Sequence, residues 1–275
     1  MVVQHNLTAA NTNRQLGITT SGLQKSTEKL SSGYKINRAA DDAAGLSISE
    51  KMRNQIRGLN KASDNAQDGI SLVQTAEGAL NEVHSMLQRM SELSVQAANG
   101  TNDTTDRSSI NDEIQQLKTE IERVGSTTQF NKMNILDGTF STGANKLLQV
   151  GANANQTIKV DIDALKSVVG SSLMAGLKTE TATNAQSAIT VVQNSIEKLS
   201  KLRSKLGAVQ NRLEHTVANL DNISENTQSS ESRIRDTDMA EEMVQYSKNN
   251  ILQQAGQSML AQANQANQGV LSLLQ

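Results

Sequence analysis

The chain has 275 residues, a net charge of −2, no Pro, no Cys, no Trp, two Tyr and two Phe. Without cysteine there are no disulfides, thiolate metal sites, iron–sulfur clusters or cysteine nucleophiles, and without a basic surplus there is no electrostatic footprint for nucleic acid. Four aromatics leave little material for a thick globular core. The missing proline, which costs about 3 kcal/mol inside a helix, suits long uninterrupted helices.

Residues 1–33 carry a weak helical stripe. Leu16, Leu23 and Leu30 repeat by seven, Thr20 and Thr27 fill the slots between, and Gly33 reads as the stop. The opening residues show neither a basic n-region nor an apolar run, and no stretch approaches 18 apolar residues. That start reads as cytosolic, or as export by a route that needs no cleaved peptide.

Residues 43–99 read as one helix. Met52, Ile56, Leu59, Ser63, Ala66, Ile70 and Val73 follow alternating steps of three and four. The register slips by one near Ala76–Leu80, and Leu80, Val83, Leu87, Met90 and Ala97 continue it. At 1.5 Å per residue such a helix spans about 85 Å, too long for an ordinary globular domain. Gly45, Gly58, Gly69 and Gly78 lie inside it, each costing about 1 kcal/mol against Ala, which points to close approach of a neighbouring backbone. After Gly100 a polar loop leads to Asp106, a candidate N-cap. Ile110, Ile114, Leu117, Ile121 and Val124 then mark a second helix over 106–125, folded back antiparallel on the first.

Residues 126–187 lack helical periodicity. Leu147–Val150 and the strictly alternating Thr157–Ile162 flank a Gly/Asn-rich stretch and predict a β-hairpin. Residues 167–185 read as loop with a short helical turn. Over 188–230 a long helix returns, with Ile189, Val192, Ile196, Leu199, Leu206, Leu213, Val217 and Leu220 in register. Residues 238–275 repeat the character of the start, with a modest stripe of Leu252, Ala255, Met259, Ala266, Val270 and Leu273.

The predicted fold is mainly α: an elongated antiparallel helical rod or coiled-coil bundle with a small β-hairpin region in the middle. The chain divides into an N-terminal helical part (1–42), a rod (43–232) and a C-terminal helix (233–275). Neither weak terminal helix buries enough surface alone to offset about 1–2 kcal/mol per residue of backbone entropy. Both are therefore expected to order only against other copies.

A search for chemistry returns little. His5, His84 and His215 form no local ligand motif, and no His-Glu-x-x-His, Gly-x-Gly-x-x-Gly, Walker A or Gly-x-Ser-x-Gly pattern occurs. Asp41 and Asp42 read as helix-start chemistry. The sequence predicts no catalytic, cofactor or metal site and no enzyme.

Several long motifs, in order, resemble those of bacterial flagellins. They are Leu30-Ser31-Ser32-Gly33-Tyr34-Lys35-Ile36-Asn37-Arg38 followed by Asp41-Asp42-Ala43-Ala44-Gly45-Leu46, and Gln67-Asp68-Gly69-Ile70-Ser71 with Gln74-Thr75-Ala76-Glu77-Gly78-Ala79-Leu80. Leu206-Gly207-Ala208-Val209-Gln210-Asn211-Arg212-Leu213 and Ser232-Arg233-Ile234-Arg235-Asp236-Thr237-Asp238 follow near the other end. The resemblance implies an extracellular subunit of the flagellar filament that self-assembles for swimming motility. The short middle section marks a minimal form without large outer domains. It also implies export unfolded through the flagellar type III route, an export chaperone, and addition beneath the filament cap above hook–filament junction proteins. No nucleic-acid or membrane partner is implied.

By the same resemblance the terminal helices pack as the filament core, with Leu16, Leu23, Leu30, Leu252, Met259, Val270 and Leu273 as packing residues. Gln88, Arg89, Leu93 and Glu113 match positions at which Toll-like receptor 5 recognises flagellin monomers. Val3-Gln4, Ala10, Asn267 and Gln275 depart from residues frequent in the family. A hook–filament junction protein of related architecture is the alternative reading.

Overall fold

A computed structural model of the chain describes residues 6–140, 147–170, 173 and 177–272, with side chains as far as Ala266. Among the described residues there are six helices: α1 (Leu7–Ser32), α2 (Ala43–Ala98), α3 (Thr104–Thr127), α4 (Leu165–Val169), α5 (Ala182–Arg235) and α6 (Met239–Ser272). The strands are β1 (Gln129–Phe130), β2 (Met133–Asn134), β3 (Leu147–Gln149) and β4 (Thr157–Lys159), in two separate antiparallel pairs. The fold is mainly α, with a small β region.

The chain forms two units. One comprises Ile56–Ser224; the other takes the residues up to Gln55 and from Glu225 onward.

The Ile56–Ser224 unit holds the main core. Along α2 the predicted stripe is buried at Leu59, Ser63, Ala66, Val73, Leu80, Val83, Leu87, Met90 and Ala97. The register slip is absorbed where Leu72, Val73 and Ala76 all turn inward. Ile110, Ile114 and Ile121 of α3 and Val192, Leu199, Leu202 and Leu206 of α5 complete the same cluster. The two slots that Arg203 and Gln210 would have left apolar-poor are flanked by buried Leu202 and half-buried Val209, which widen the stripe as the sequence suggests.

The start of α3 corrects one expectation. Asp103, not Asp106, is the N-cap, with extended backbone at φ −81° and ψ 170°. Asp106 is the third helical residue, and its carboxylate accepts the Asp103 N–H at 3.2 Å, the reciprocal arm of a capping box. The preceding end of α2 is closed by Arg107, whose Nε donates to the Ala97 carbonyl at 3.0 Å and whose Nη2 donates to that of Asn99 at 3.1 Å.

The hairpin stands where alternation placed it. Leu147 pairs with Lys159, Leu148 with Ile158 and Gln149 with Thr157, and Ile158, Val160 and Ile162 are buried. The β1–β2 pair was not legible. Its turn residues Asn131 and Lys132 both have positive φ, 48° and 62°, a geometry normally signalled by a glycine that is absent here. α5 begins at Ala182 rather than 188, because buried Ala185 and Ala188 extend its inner face. Ser195 Oγ donates to the Val169 carbonyl at 2.6 Å and ties α4 to it.

The helical glycines divide by cause. A Cβ on Gly58 would lie 2.9 Å from Ala152 Cβ and 3.2 Å from its Cα, a true backbone approach by the hairpin. At Gly69 the neighbour is the Leu148 side chain, and at Gly45 it is Asp42 and Ile36, so side chains rather than backbone exclude a methyl group. Gly78 has nothing within 4 Å, and no intrachain contact requires it.

In the other unit α1 begins under Asn6, whose side chain accepts the Ala9 N–H at 3.0 Å. It ends on Gly33 at φ 75°, whose N–H reaches the Lys29 carbonyl at 2.8 Å. Asp42 accepts the Gly45 N–H at 2.9 Å and caps α2. Asp41 instead closes the loop before it, accepting from Asn37 and Arg38 N–H. The Arg38 hydrogen bond is the main cause that holds its carboxyl below the ordinary 3.8. The segments after α1 and after α5 pair briefly: Lys35 N–H donates to the Arg235 carbonyl at 2.6 Å, and Thr237 N–H to that of Gly33 at 3.0 Å.

Candidate assembly and recognition surfaces

α1 and α6 run antiparallel against one another. Asn6 Nδ2 donates to the Ala263 carbonyl at 3.0 Å, Leu16 packs on Gly256, Gly22 faces Asn249, and Lys29 meets Glu242 at 3.4 Å. Small residues at the crossings let the backbones approach, and long aliphatic side chains are few. Ser26 is the one buried residue in α1, and the described side chains of α6 include none. Such a pair buries too little to offset the entropy of ordering both helices.

Leu16, Leu23 and Leu30 are half-buried, on the side toward α6. The C-terminal stripe behaves differently. Half-buried residues of α6 are Glu242, Tyr246, Asn249, Asn250, Gln253, Gly256, Leu260 and Ala263, a largely polar or small face. Leu252 and Met259 are exposed. At 3.6 residues per turn they flank that face about a quarter-turn round from its centre, and Ala255, Val244 and Ile251 continue the stripe to the opposite side, the last two each 67% exposed. Val244 and Ile251 were missed by the sequence reading, although the seven-residue step between them was there to see. Leu7 and Ile18 of α1 are exposed as well. Val270 lies where only backbone is described, and Leu273 lies outside the described residues.

A second surface spans α2 and α3. Arg89 Nε donates to Glu113 at 2.9 Å and its Nη1 to Glu92 at 3.3 Å. These carboxylates, Glu113 first, raise the pKa of the guanidinium above its ordinary value. Gln88 is exposed one residue earlier, its amide 3.1 Å from His84 Nε2. Leu93 departs from the expectation for this group: at 2% exposure it lies inside the core. It sits four residues after Arg89, on the inward face of α2, so it supports the patch from beneath and offers no surface of its own.

Among the described residues no three His, Cys, Asp or Glu side chains converge in a way that could hold a metal ion, and no helix is long and apolar enough to cross a membrane. The chemistry these surfaces offer is packing and charge pairing.

Comparison with known proteins gives the same direction. Residues 3–141 match the bacterial flagellin N-terminal helical region, and residues 189–274 match the bacterial flagellin C-terminal helical region. Flagellin of Halalkalibacterium halodurans is 57% identical over 274 residues, with all of both chains covered. Flagellin of Bacillus subtilis is 52% identical over 303 residues, again with all of both covered. Among solved structures, Bacillus cereus flagellin is 32% identical, with a TM-score of 0.50, covering 57% of this chain and 88% of that one.

Proposed function

The chain belongs to the bacterial flagellin family as a structural subunit of the flagellar filament, and on that premise we propose that it polymerises through the outer face of α6. The observation that carries this is the apolar stripe Val244, Ile251, Leu252, Ala255 and Met259, exposed along one flank and the outer side of α6. An exposed run of this kind is what a partner helix covers. A filament needs contacts that repeat without closing. Burying the stripe between copies supplies the stabilisation that the α1–α6 pair lacks alone. Leu16, Leu23 and Leu30 hold α1 against α6. The helical segments within 1–42 and 233–275 then form the filament core.

The test is electron microscopy of the purified chain before and after adding precipitating salt with short filament seeds. Long filaments of uniform diameter support the reading. Persistent monomers with protease-sensitive termini oppose it.

Three finer roles rest on the family resemblance. The chain is exported unfolded by the flagellar type III route with an export chaperone. It adds beneath the filament cap, on a base of hook–filament junction proteins. The free chain is recognised by Toll-like receptor 5 through Gln88, Arg89 and Glu113, with Leu93 beneath them. The charged, fixed guanidinium of Arg89 supports the last of these, since a pre-positioned fork loses little freedom on binding. Binding of the receptor ectodomain to the monomer and to Arg89→Ala tests it, and unchanged affinity would sink the assignment.

A further inference from the structure

Three methionines stand out on α6. Met239, Met243 and Met259 are each about half exposed, whereas Met90 in the core of the Ile56–Ser224 unit is fully buried. Met259 lies at the edge of the apolar stripe, two turns beyond Leu252, whereas Met239 and Met243 lie near the start of the helix on its other flank. A flexible thioether suits a face that must adapt to a neighbour. It also carries a sulfur that oxidants reach while the helix is uncovered.

We propose that Met259 is an oxidation site that blocks polymerisation of the free chain and is shielded once the chain is in a filament, with Met239 and Met243 as further exposed thioethers on the same helix. The inference rests on the reading that the outer face of α6 packs between copies. The oxidant is hydrogen peroxide or another peroxide. The sulfur lone pair attacks one peroxide oxygen, the O–O bond breaks, and the second oxygen takes the proton of the sulfur-bound hydroxyl and leaves as water, or as an alcohol from an alkyl peroxide. Sulfur loses two electrons and the peroxide gains them. The product sulfoxide is polar and chiral where the thioether was apolar. Burying it in an apolar contact without a hydrogen-bond donor is unfavourable. The lowest chain concentration that sustains growth should therefore rise about tenfold or more.

The experiment uses the full chain. One portion of monomer is left untreated, and a second is treated with hydrogen peroxide and desalted. Both are offered filament seeds, and peptide mass spectrometry reads the oxidation of each methionine. Failure of the untreated chain to grow would overturn the filament reading and the inference with it. Growth of the untreated chain with equal growth of the oxidised chain would overturn the inference alone. Methionine sulfoxide reductases with a thiol reductant should restore growth to the oxidised sample, and no recovery would place the damage elsewhere.

Preformed filaments exposed to the same peroxide should keep Met259 unoxidised under conditions that convert it in the monomer. Equal conversion would also overturn the proposal, and this measurement needs no variant. In Met239→Leu/Met243→Leu/Met259→Leu, growth after peroxide should match that variant's own untreated growth. An undiminished loss would assign the block to other methionines.

Discussion

The guanidinium of Arg235 lies 4.8 Å from the centre of the Tyr34 ring, and its Nη1 donates to Glu50 at 2.6 Å. One side chain thus joins the stretch after α1, the first turns of α2 and the end of α5. The backbone crossing of Lys35 on Arg235 and of Thr237 on Gly33 brackets the same point. The Arg235 side chain is only 12% exposed, so its charge is held in place by an aromatic face on one side and a carboxylate on the other.

Arg235→Ala removes both contacts together. The cation–π contact and the charged hydrogen bond are lost together, the second of them screened by water on the exposed side of Glu50. The expected result is earlier melting of α1, with hydrogen exchange accelerating at residues 33–37 and 235–237. Arg235→Lys should recover little of it, since an ammonium lacks the planar fork that meets ring and carboxylate at once. Unchanged exchange in both segments would show that the backbone crossing holds without the side chain.

Acid should undo the same clasp. Arg235 is the main cause, through its hydrogen bond and then its charge, that holds the Glu50 carboxyl below its ordinary value of 4.5. A carboxylate with a depressed folded pKa stabilises the fold fully above its unfolded value. That contribution is lost as the pH falls through the folded one. Glu50→Gln should therefore melt below the parent chain at pH 7, and the gap should close progressively below about pH 4.5. A gap that stays constant down to pH 3 would assign the effect to packing and not to ionisation.

The helical glycines should respond with opposite signs. Gly78 is exposed with open space around it, so Gly78→Ala should stabilise by about 0.5–1 kcal/mol through helix propensity and a less flexible unfolded chain. Gly58→Ala pushes a methyl group against the Cα of Ala152 and should destabilise, because a backbone atom cannot swing aside as a side-chain tip can. Denaturant unfolding followed by helix signal distinguishes them. A stabilising Gly58→Ala would mean that the hairpin yields at that point.

The contrast shows what sequence carries and what it omits. The seven-residue steps from Leu80 to Leu87 and from Leu199 to Leu206 and Leu213 were legible because each side chain enters a core, and apolar periodicity reports entry into a core directly. The strict alternation of Thr157–Ile162 was legible for the same reason. Glycine cost was legible, but its cause was not: Gly58, Gly69 and Gly78 look alike in the sequence and differ only in what crosses them. The stripe on α6 was read in part. Leu252 and Met259 were named, yet periodicity alone cannot tell whether such a face turns toward α1 or away from it. Polar Asn249 fits on the paired face because Gly22 leaves room for its side chain.

That distinction between inner and outer faces gives the last prediction. Leu87 is fully buried, and Leu87→Ala should cost about 2–5 kcal/mol through lost transfer energy and the cavity left behind. Ile251 is mostly exposed and has no such cavity to leave, so Ile251→Asp should change monomer melting by no more than about 0.5 kcal/mol. Assembly should rank the two in reverse. At a temperature where Leu87→Ala remains folded, its core defect leaves the residues of the α6 stripe unchanged, and seeded growth should persist. Ile251→Asp places a carboxylate in the stripe, where burial between copies would strand a charge without a partner. Growth from seeds should then be lost while circular dichroism of the monomer stays that of the parent. Seeded growth of Ile251→Asp at the parental rate would show that this face stays in water in the filament. The helices would then meet their neighbours through α1, along Leu7 and Ile18.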